Sequence, residues 1–296
     1  MKILHVITGL STGGAEMMLF KLLSCLVREN VGNEVISLTG SGPVGDRIAD
    51  LGVKVHALGM GRTLPSPPKL FSLARMMREA KPDIVHAWMH HANLLAGVAA
   101  KFARSPPVIW GIRQGTLDPR LTKRSTILTT RLCALLSRSV PARILCCSSV
   151  ARDIHVALGY APEKMAVIPN GFDLERFRPN GEARIAVRRE LGIEPDAPLI
   201  GLVARFDPQK DHRGFIRAAA RLHESGAGAQ FLLCGEGADA DNRELGEWIR
   251  AAGIGANCHL LGPRDDMAAI TAALDIAVSS SAFGEGFSNA VAEAMA

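Results

Sequence analysis

Short apolar runs alternate with stretches of helical period along most of this chain. The runs at 3–8, 35–38, 53–58, 83–87, 108–112, 144–147 and 166–168 read as strands. Between them, 17–28, 69–80, 92–103 and 122–136 carry apolar residues at the spacing of amphipathic helices. A second series follows, with a helix at 183–191, strands at 199–204, 231–234 and 275–278, and helical spacing again from Phe287 onward. Such alternation predicts an α/β protein whose parallel sheets are covered on both faces and receive ligands at the carboxyl ends of their strands.

The two series are separated by a turn-rich stretch, Val167-Ile-Pro-Asn-Gly-Phe-Asp173, followed by Phe177-Arg-Pro179. Two Rossmann-like lobes are therefore expected, 1–178 and 179–296, with Pro179-Asn-Gly-Glu182 as the linker. The second lobe shows few clear strands, and the chain stops in a helical pattern at Ala296 with no glycine cap or proline stop. That lobe is expected to be incomplete and the sequence C-terminally truncated.

Composition narrows the class. The 296 residues are 48% hydrophobic and 5% aromatic, which suits alanine- and leucine-rich α/β layers. The six cysteines are scattered without a C-x-x-C or a paired Cys/His spacing, so neither a metal site nor a disulfide framework is expected, and a reducing cytoplasm is the natural compartment. Gly9, Gly13, Gly14 and Glu16 interrupt the opening apolar run, unlike a signal peptide. The net charge of +5 is unevenly spread: residues 62–152 hold 15 Lys/Arg against three acids, whereas 13 Lys/Arg face 19 Asp/Glu from Asp173 to the end. A basic first lobe is open to peripheral contact with an anionic membrane or a lipid-phosphate acceptor, the bland alternative being a solvated surface. No aromatic residues interleave with the basic ones, which argues against nucleic acid.

Candidate chemistry concentrates near the end. Residues 279–296 read SSSAFGEGFSNAVAEAMA after an apolar strand, so a glycine-bracketed turn leads into a helix start at which Ser288 or Asn289 is placed to cap. Backbone N–H groups of Gly286, Phe287, Ser288 and Asn289 would attract an anion there. Glu285 would repel a bare phosphate but can accept hydrogen bonds from the hydroxyls of a sugar joined to one. Glu293, eight residues on, falls on roughly the same helix side and could hold a ribose. At the end of strand 199–204, Arg205 and Lys210 flank a Pro-containing turn and can converge on one diphosphate, Arg as a fork and Lys as a point charge. Gly235 follows the next strand in a loop that a nucleotide's backbone contacts would suit, and Glu236 and Arg264 are weaker candidates. In the first lobe, His86-Ala-Trp-Met-His-His-Ala-Asn93 groups His86, His90 and His91 at one strand–helix junction, and Arg113 ends another strand.

Glu285-x7-Glu293 in this glycine–serine setting resembles the signature of the retaining glycosyltransferases of family 4, with the GT-B fold (glycosyl transferases group 1). The Arg205-x4-Lys210 pair, the IPNG-x-D turn and the histidine block resemble other motifs of that family, and the likeness covers nearly all of the chain. It implies a loop at Gly13 and Gly14 lying against donor phosphates and acceptor. One histidine would touch the donor hexose, His91 aligning best with His86 and His90 as alternatives, and Arg113 could bind acceptor or merely pair with a carboxylate. Glu285, Arg205, Lys210 and His91 would then be the catalytic set.

The expected activity is transfer of a hexose, with retention, from a nucleoside diphosphate sugar to a hydroxyl acceptor, glycan or lipid-linked. No metal cofactor is expected, since the cations can face the leaving group and no D-x-D stands where a metal would be needed. A nucleotide-sugar epimerase of the same fold and a non-catalytic sugar-nucleotide-binding fragment are the competing readings.

Overall fold

Among the described residues seven strands, all paired in parallel, build the sheet of the first unit: β1 (Lys2–Ile7), β2 (Gly32–Ser37), β3 (Lys54–Ala57), β4 (Ile84–Trp88), β5 (Val108–Ile112), β6 (Arg143–Cys146) and β7 (Met165–Val167). They lie in the order β3-β2-β1-β4-β5-β6-β7. Four more, β8 (Leu199–Val203), β9 (Gln230–Cys234), β10 (Cys258–Leu260) and β11 (Ile276–Val278), form the parallel sheet of the second unit in the order β10-β9-β8-β11. The computed structural model describes residues 1–61, 67–103, 106–115 and 122–296, and it divides between Asn170 and Gly171.

The apolar runs become strands because parallel sheets covered by helices bury both faces. Leu4, Val6 and Ile7 of β1 and Phe231 to Cys234 of β9 are all buried. In the first unit, helix Gly14–Arg28 presses Met18, Leu19 and Leu23 onto Ile7, Val35 and Trp88. In the second, helices His212–Glu224 and Arg243–Ala251 set Phe215, Ile216, Leu245 and Ile249 against Leu202, Phe231 and Leu233. In each sheet the strand order reverses beside the first strand of the unit, β1/β4 in one and β8/β11 in the other. Loops leaving neighbouring strands diverge at such a point and open a crevice at the carboxyl ends.

Two local expectations come out differently. The stretch 179–182 serves as a helix start rather than a linker: Asn180 accepts from the Ala183 amide at 3.0 Å and caps helix Gly181–Glu190. The division falls earlier, inside the Pro-Asn-Gly turn. The last helix, Asn289–Met295, begins two residues after Phe287, and Ser288 is its N-cap without a side-chain capping bond.

One polar knot sets the bottom of the second sheet. The buried Arg188 guanidinium donates to the carbonyls of Ala273 (3.2 Å), Glu194 (3.2 Å), Pro195 (2.9 Å) and Ala197 (2.8 Å) and to Asp275 Oδ2 (2.5 Å). The same Asp275 oxygen accepts from the Leu199 amide at 2.7 Å, and Arg184 pairs with Oδ1 at 2.7 Å. Burial works to raise the Asp275 pKa, but the amide and the two guanidinia outweigh it and hold the carboxyl below its ordinary value. The knot joins the starts of β8 and β11 and so helps register the strands whose far ends carry the candidate site.

Asp275→Asn leaves Arg188 buried and short of a counter-charge. It is expected to destabilise the second unit by about 2 kcal/mol, reduced from the fully buried case because Asp275 is partly exposed. Urea denaturation of the variant at neutral pH checks this; an unchanged midpoint would remove the knot from the account of stability.

Candidate functional site

Because β8 and β11 run parallel with Ile200 opposite Ile276 and Leu202 opposite Val278, the chain leaves both strands at the same end. After β8, Asp207 caps the turn Pro208–Lys210 by accepting from the Gln209 amide at 2.9 Å. Asp211, in the left-handed region at φ 44°, caps the following helix by accepting from the Gly214 amide at 2.9 Å. Asn and Asp tolerate that conformation because a short polar side chain can bond locally. After β11, Ser280 Oγ donates to the Lys210 carbonyl at 2.6 Å, and the Ala282 amide donates to the Gln209 carbonyl at 2.9 Å. The two loops are thus stitched together by backbone and hydroxyl bonds before any charge is considered.

On this scaffold the Lys210 ammonium pairs with Glu285 Oε2, and Ser281 Oγ donates to the same oxygen at 2.7 Å. Both charged side chains are about three-quarters or more covered, with relative exposures of 19% and 25%. A charge pair this far out of water is stronger than a surface one, yet each member retains an open side for a ligand. Arg205 stands on the β8 loop with its Nε 3.4 Å from Asp207 Oδ2, a loose contact that leaves most of the fork available. Gly284, at φ +74°, passes Gln209 so closely that an added Cβ would stand 3.0 Å from its amide nitrogen. At this position glycine serves both the turn and the close approach of the loops.

Gly235 lies beside Arg205 for a comparable reason. Its φ is +146°, and an added Cβ would come within 2.4 Å of the Ala204 carbonyl oxygen. That glycine is required by the protein's own packed backbone, so the requirement does not depend on a nucleotide. Glu293 sits half-buried on helix Asn289–Met295, and Phe287 stacks on Phe172 with centroids 5.9 Å apart. Arg264 is committed to Glu190 (2.6 Å) and Asp266 (2.7 Å), which together raise its pKa. Lys210 and Glu285 are brought into contact, and Gly235 lies against the backbone of Ala204 and Arg205; Arg264 is occupied elsewhere. Ser281 and Gln209 were not singled out from sequence, although a serine four residues before Glu285 in a glycine-rich loop was a usable signal.

The first unit separates its histidines. His86 is buried on β4, with its ring 5.6 Å from His5 and 4.6 Å from Trp88. His5 Nδ1 accepts from Trp88 Nε1 at 3.3 Å, which leaves its Nε2–H to donate to Asn33 Oδ1 at 3.2 Å. Arg113, at the end of β5, lies 4.6 Å over the Trp88 ring and donates to Asn170 Oδ1. His90, one residue before His91 on helix His90–Ala103, turns inward and stacks on His155 at 5.2 Å; the His155 ring meets Tyr160 edge-on at 5.1 Å. Of the three candidates, only His91 keeps part of its ring accessible, because consecutive helical positions point about 100° apart. Gly13 is the N-cap of helix Gly14–Arg28, and a side chain there would strike the Glu16 carboxylate at 2.3 Å; Gly14 is exposed in the first turn.

Comparison with known proteins accords with both units. Residues 12–176 match the description Glycosyltransferase Family 4, and residues 197–296 match Glycosyl transferases group 1. The chain is 27% identical over 309 residues to EpsF of Bacillus subtilis (strain 168), an alignment covering 100% of this chain and 77% of that protein. It is 28% identical over 229 residues to the UDP-Gal:alpha-D-GlcNAc-diphosphoundecaprenol alpha-1,3-galactosyltransferase of Escherichia coli, covering 76% of this chain and 58% of the relative. Among solved structures, Anabaena Alr3699/HepE in complex with UDP and glucose superposes with a TM-score of 0.84 at 22% identity, covering 100% of this chain and 78% of that one. The fold is therefore the α/β GT-B fold of those proteins.

Burial disfavours the charged imidazole, and it dominates at His5, lowered to about 4 despite the bond to Asn33, and at His90, lowered to about 3 with His155 and His91 adding to the effect. Burial, then His5 and Arg113, push His86 well below its ordinary value, and burial lowers His155. The unfolded chain takes up these protons near pH ~6.5 while the folded one does not. Stability is therefore complete above that pH and falls as pH drops through about 6.5 to 4, by about 1.4 kcal/mol per pH unit for each such histidine. His90→Phe should leave stability at neutral pH nearly unchanged and flatten the acid loss. Urea midpoints compared at neutral and at mildly acidic pH check it; equal slopes in variant and parent would show that His90 titrates normally.

Proposed function

This chain belongs to Glycosyltransferase Family 4, and from that premise we propose that it moves a hexose from a nucleoside diphosphate sugar to a hydroxyl acceptor with retention of configuration. The observation that carries the proposal is the Lys210–Glu285 pair at the carboxyl ends of β8 and β11, with Arg205 on the same loop as Lys210. The hard step is expulsion of a nucleoside diphosphate while positive charge builds at the sugar's anomeric carbon. Fixed cations aimed at the leaving group provide the largest plausible stabilisation. In this reading Arg205 grips the diphosphate as a fork and Lys210 as a point charge. A diphosphate competes with Glu285 for the Lys210 ammonium, and the carboxylate so released accepts from hexose hydroxyls. The glycine-rich turn at 284–289 adds backbone donors, and Glu293 holds the nucleotide side.

The acceptor hydroxyl attacks from the face the leaving group vacates, and its proton passes to the departing phosphate oxygen. No protein nucleophile is then needed, and Glu285 orients the sugar. His91, the accessible histidine, is the one assigned to the donor hexose. The Escherichia coli relative acts on a diphosphoundecaprenol-linked sugar, as its name states, which makes a lipid-linked acceptor the first to assay, with UDP-hexoses as first donors. Incubation with labelled nucleotide sugars separates the alternatives. Sugar appearing on an added acceptor supports transfer, interconversion of the nucleotide sugar alone supports an epimerase, and binding without turnover supports a non-catalytic role.

Lys210→Ala and Arg205→Ala should each weaken nucleoside diphosphate binding about ten- to a hundredfold, since each removes a charge-assisted bond of roughly 1.5–3 kcal/mol. Unchanged calorimetric affinity in both variants would refute the clamp. Glu285→Gln keeps the shape and removes the charge. It is expected to lower turnover strongly while binding of sugar-free nucleoside diphosphate stays intact or improves, because Lys210 is then free of its counter-charge. Glu293→Gln should do the reverse. Normal transfer by Glu285→Gln, or complete loss of nucleotide binding, would show the hexose-holding role to be wrong.

A further inference from the structure

Helix Arg124–Leu136 has an exposed face of unusual make-up. Thr129, Thr130, Cys133 and Ala134 anchor it to the first unit, and outward it presents Leu128, Leu132 and Leu135 at 57%, 39% and 78% exposure. Arg124 and Arg131 are exposed on the same helix, and Arg138 is exposed just beyond its end. At 100° per residue, positions 124, 131 and 138 fall on one flank of that face and 128, 132 and 135 on the other. The outcome is a ridge of arginines running beside a stripe of leucines.

The charge around it is one-sided. Between Asp83 and Asp153 the chain carries ten Lys/Arg and a single acid, Asp118. Two of these bases, Arg104 and Arg120, lie outside the described residues, and the ridge on this helix does not depend on them. Three leucines exposed together are costly in water, and a partner that covers them must also be anionic. A second copy docked through the same face would set arginine against arginine. Nucleic acid would neutralise the ridge but leave the leucines without an apolar partner. An anionic bilayer surface satisfies both flanks, since phosphates meet the guanidinia while leucine side chains enter the boundary between headgroups and acyl chains. Among the described residues no helix is long and apolar enough to cross a membrane, so contact would be made from the surface.

We propose that helix Arg124–Leu136 docks this protein on an anionic lipid surface, with Arg124, Arg131 and Arg138 on phosphates and Leu128, Leu132 and Leu135 in the interface. The inference rests on this helix surface and not on the donor chemistry. It also goes beyond the net-charge argument, because it requires the leucines as well as the bases.

Co-sedimentation with vesicles of equal parts phosphatidylglycerol and phosphatidylcholine, against phosphatidylcholine alone, tests it. Binding should require the anionic lipid and fall at least tenfold in about half-molar salt. The triple variant R124Q/R131Q/R138Q should bind about a hundredfold more weakly, each arginine contributing roughly fivefold. L128Q/L132Q/L135Q should lose on the order of tenfold even at low salt, which a purely electrostatic surface would not show. All six side chains are exposed, so thermal melting and nucleoside diphosphate affinity should match the parent in both variants. Those two readouts separate failure here from failure of the transferase reading. Absence of binding to anionic vesicles, equal binding to both vesicle types, or binding indifferent to either variant would overturn the proposal. So would concentration-dependent self-association that the leucine variant abolishes while vesicle binding is retained.

Discussion

An ammonium and a carboxylate 75 positions apart in the chain, Lys210 and Glu285, meet in the second unit, and the rest of the candidate site is arranged to make that meeting possible. Each charge, three-quarters or more covered, is stabilised by the other. Their partnership is set by the parallel pairing of β8 with β11, which delivers both loops to one end of the sheet. The Arg188–Asp275 knot at the opposite end of the same strands holds that register. A structural ion pair and the pair of the proposed site therefore bracket the two strands, the first closed by five protein acceptors and the second left partly open.

The openness matters chemically. Lys210 and Glu285 satisfy each other when no ligand is present, so the site keeps its charges without a large desolvation cost. A ligand that carries both an anion and hydroxyls can replace each half of the pair with a better partner. A bare phosphate offers only one of those exchanges and leaves Glu285 uncompensated. Under the proposed function, such a site prefers a phosphorylated sugar to bare phosphate. The family relationship and this argument point the same way from independent starting observations.

In the first unit, polar residues buried at strand ends play a different part. His5, His86, His90 and His155 are held neutral by burial and packed on aromatic neighbours. They are shape-filling groups with an acid-sensitive cost, while the arginines of helix Arg124–Leu136 stand exposed outside that core. The same unit therefore combines a core that resists protonation with an exterior that stays cationic.

Among the described residues the sequence by itself marked every strand but Cys258–Leu260, because short Val- and Ile-rich runs separated by helical periods have few other ways to bury their apolar faces; helices Gly42–Asp50, Ser149–Ala157, His212–Glu224, Arg243–Ala251 and Met267–Ala273 were not marked. It also marked Arg205, Lys210 and Glu285, charged residues in glycine- and proline-bearing loops at strand ends. Their contact was not legible, since it depends on which strand lies beside β8, and strand order is a property of the whole sheet. Nor could the sequence distribute the histidines. Three of them within six residues look alike in a string, but one degree of freedom, the direction each side chain leaves strand or helix, sends His90 inward beside His155 and leaves His91 accessible. Gly235 follows the same logic: its glycine is visible in sequence, but only the packed backbone of Ala204 explains why no side chain fits there. Local periodicity is written along the chain, whereas proximity between distant segments is decided by packing.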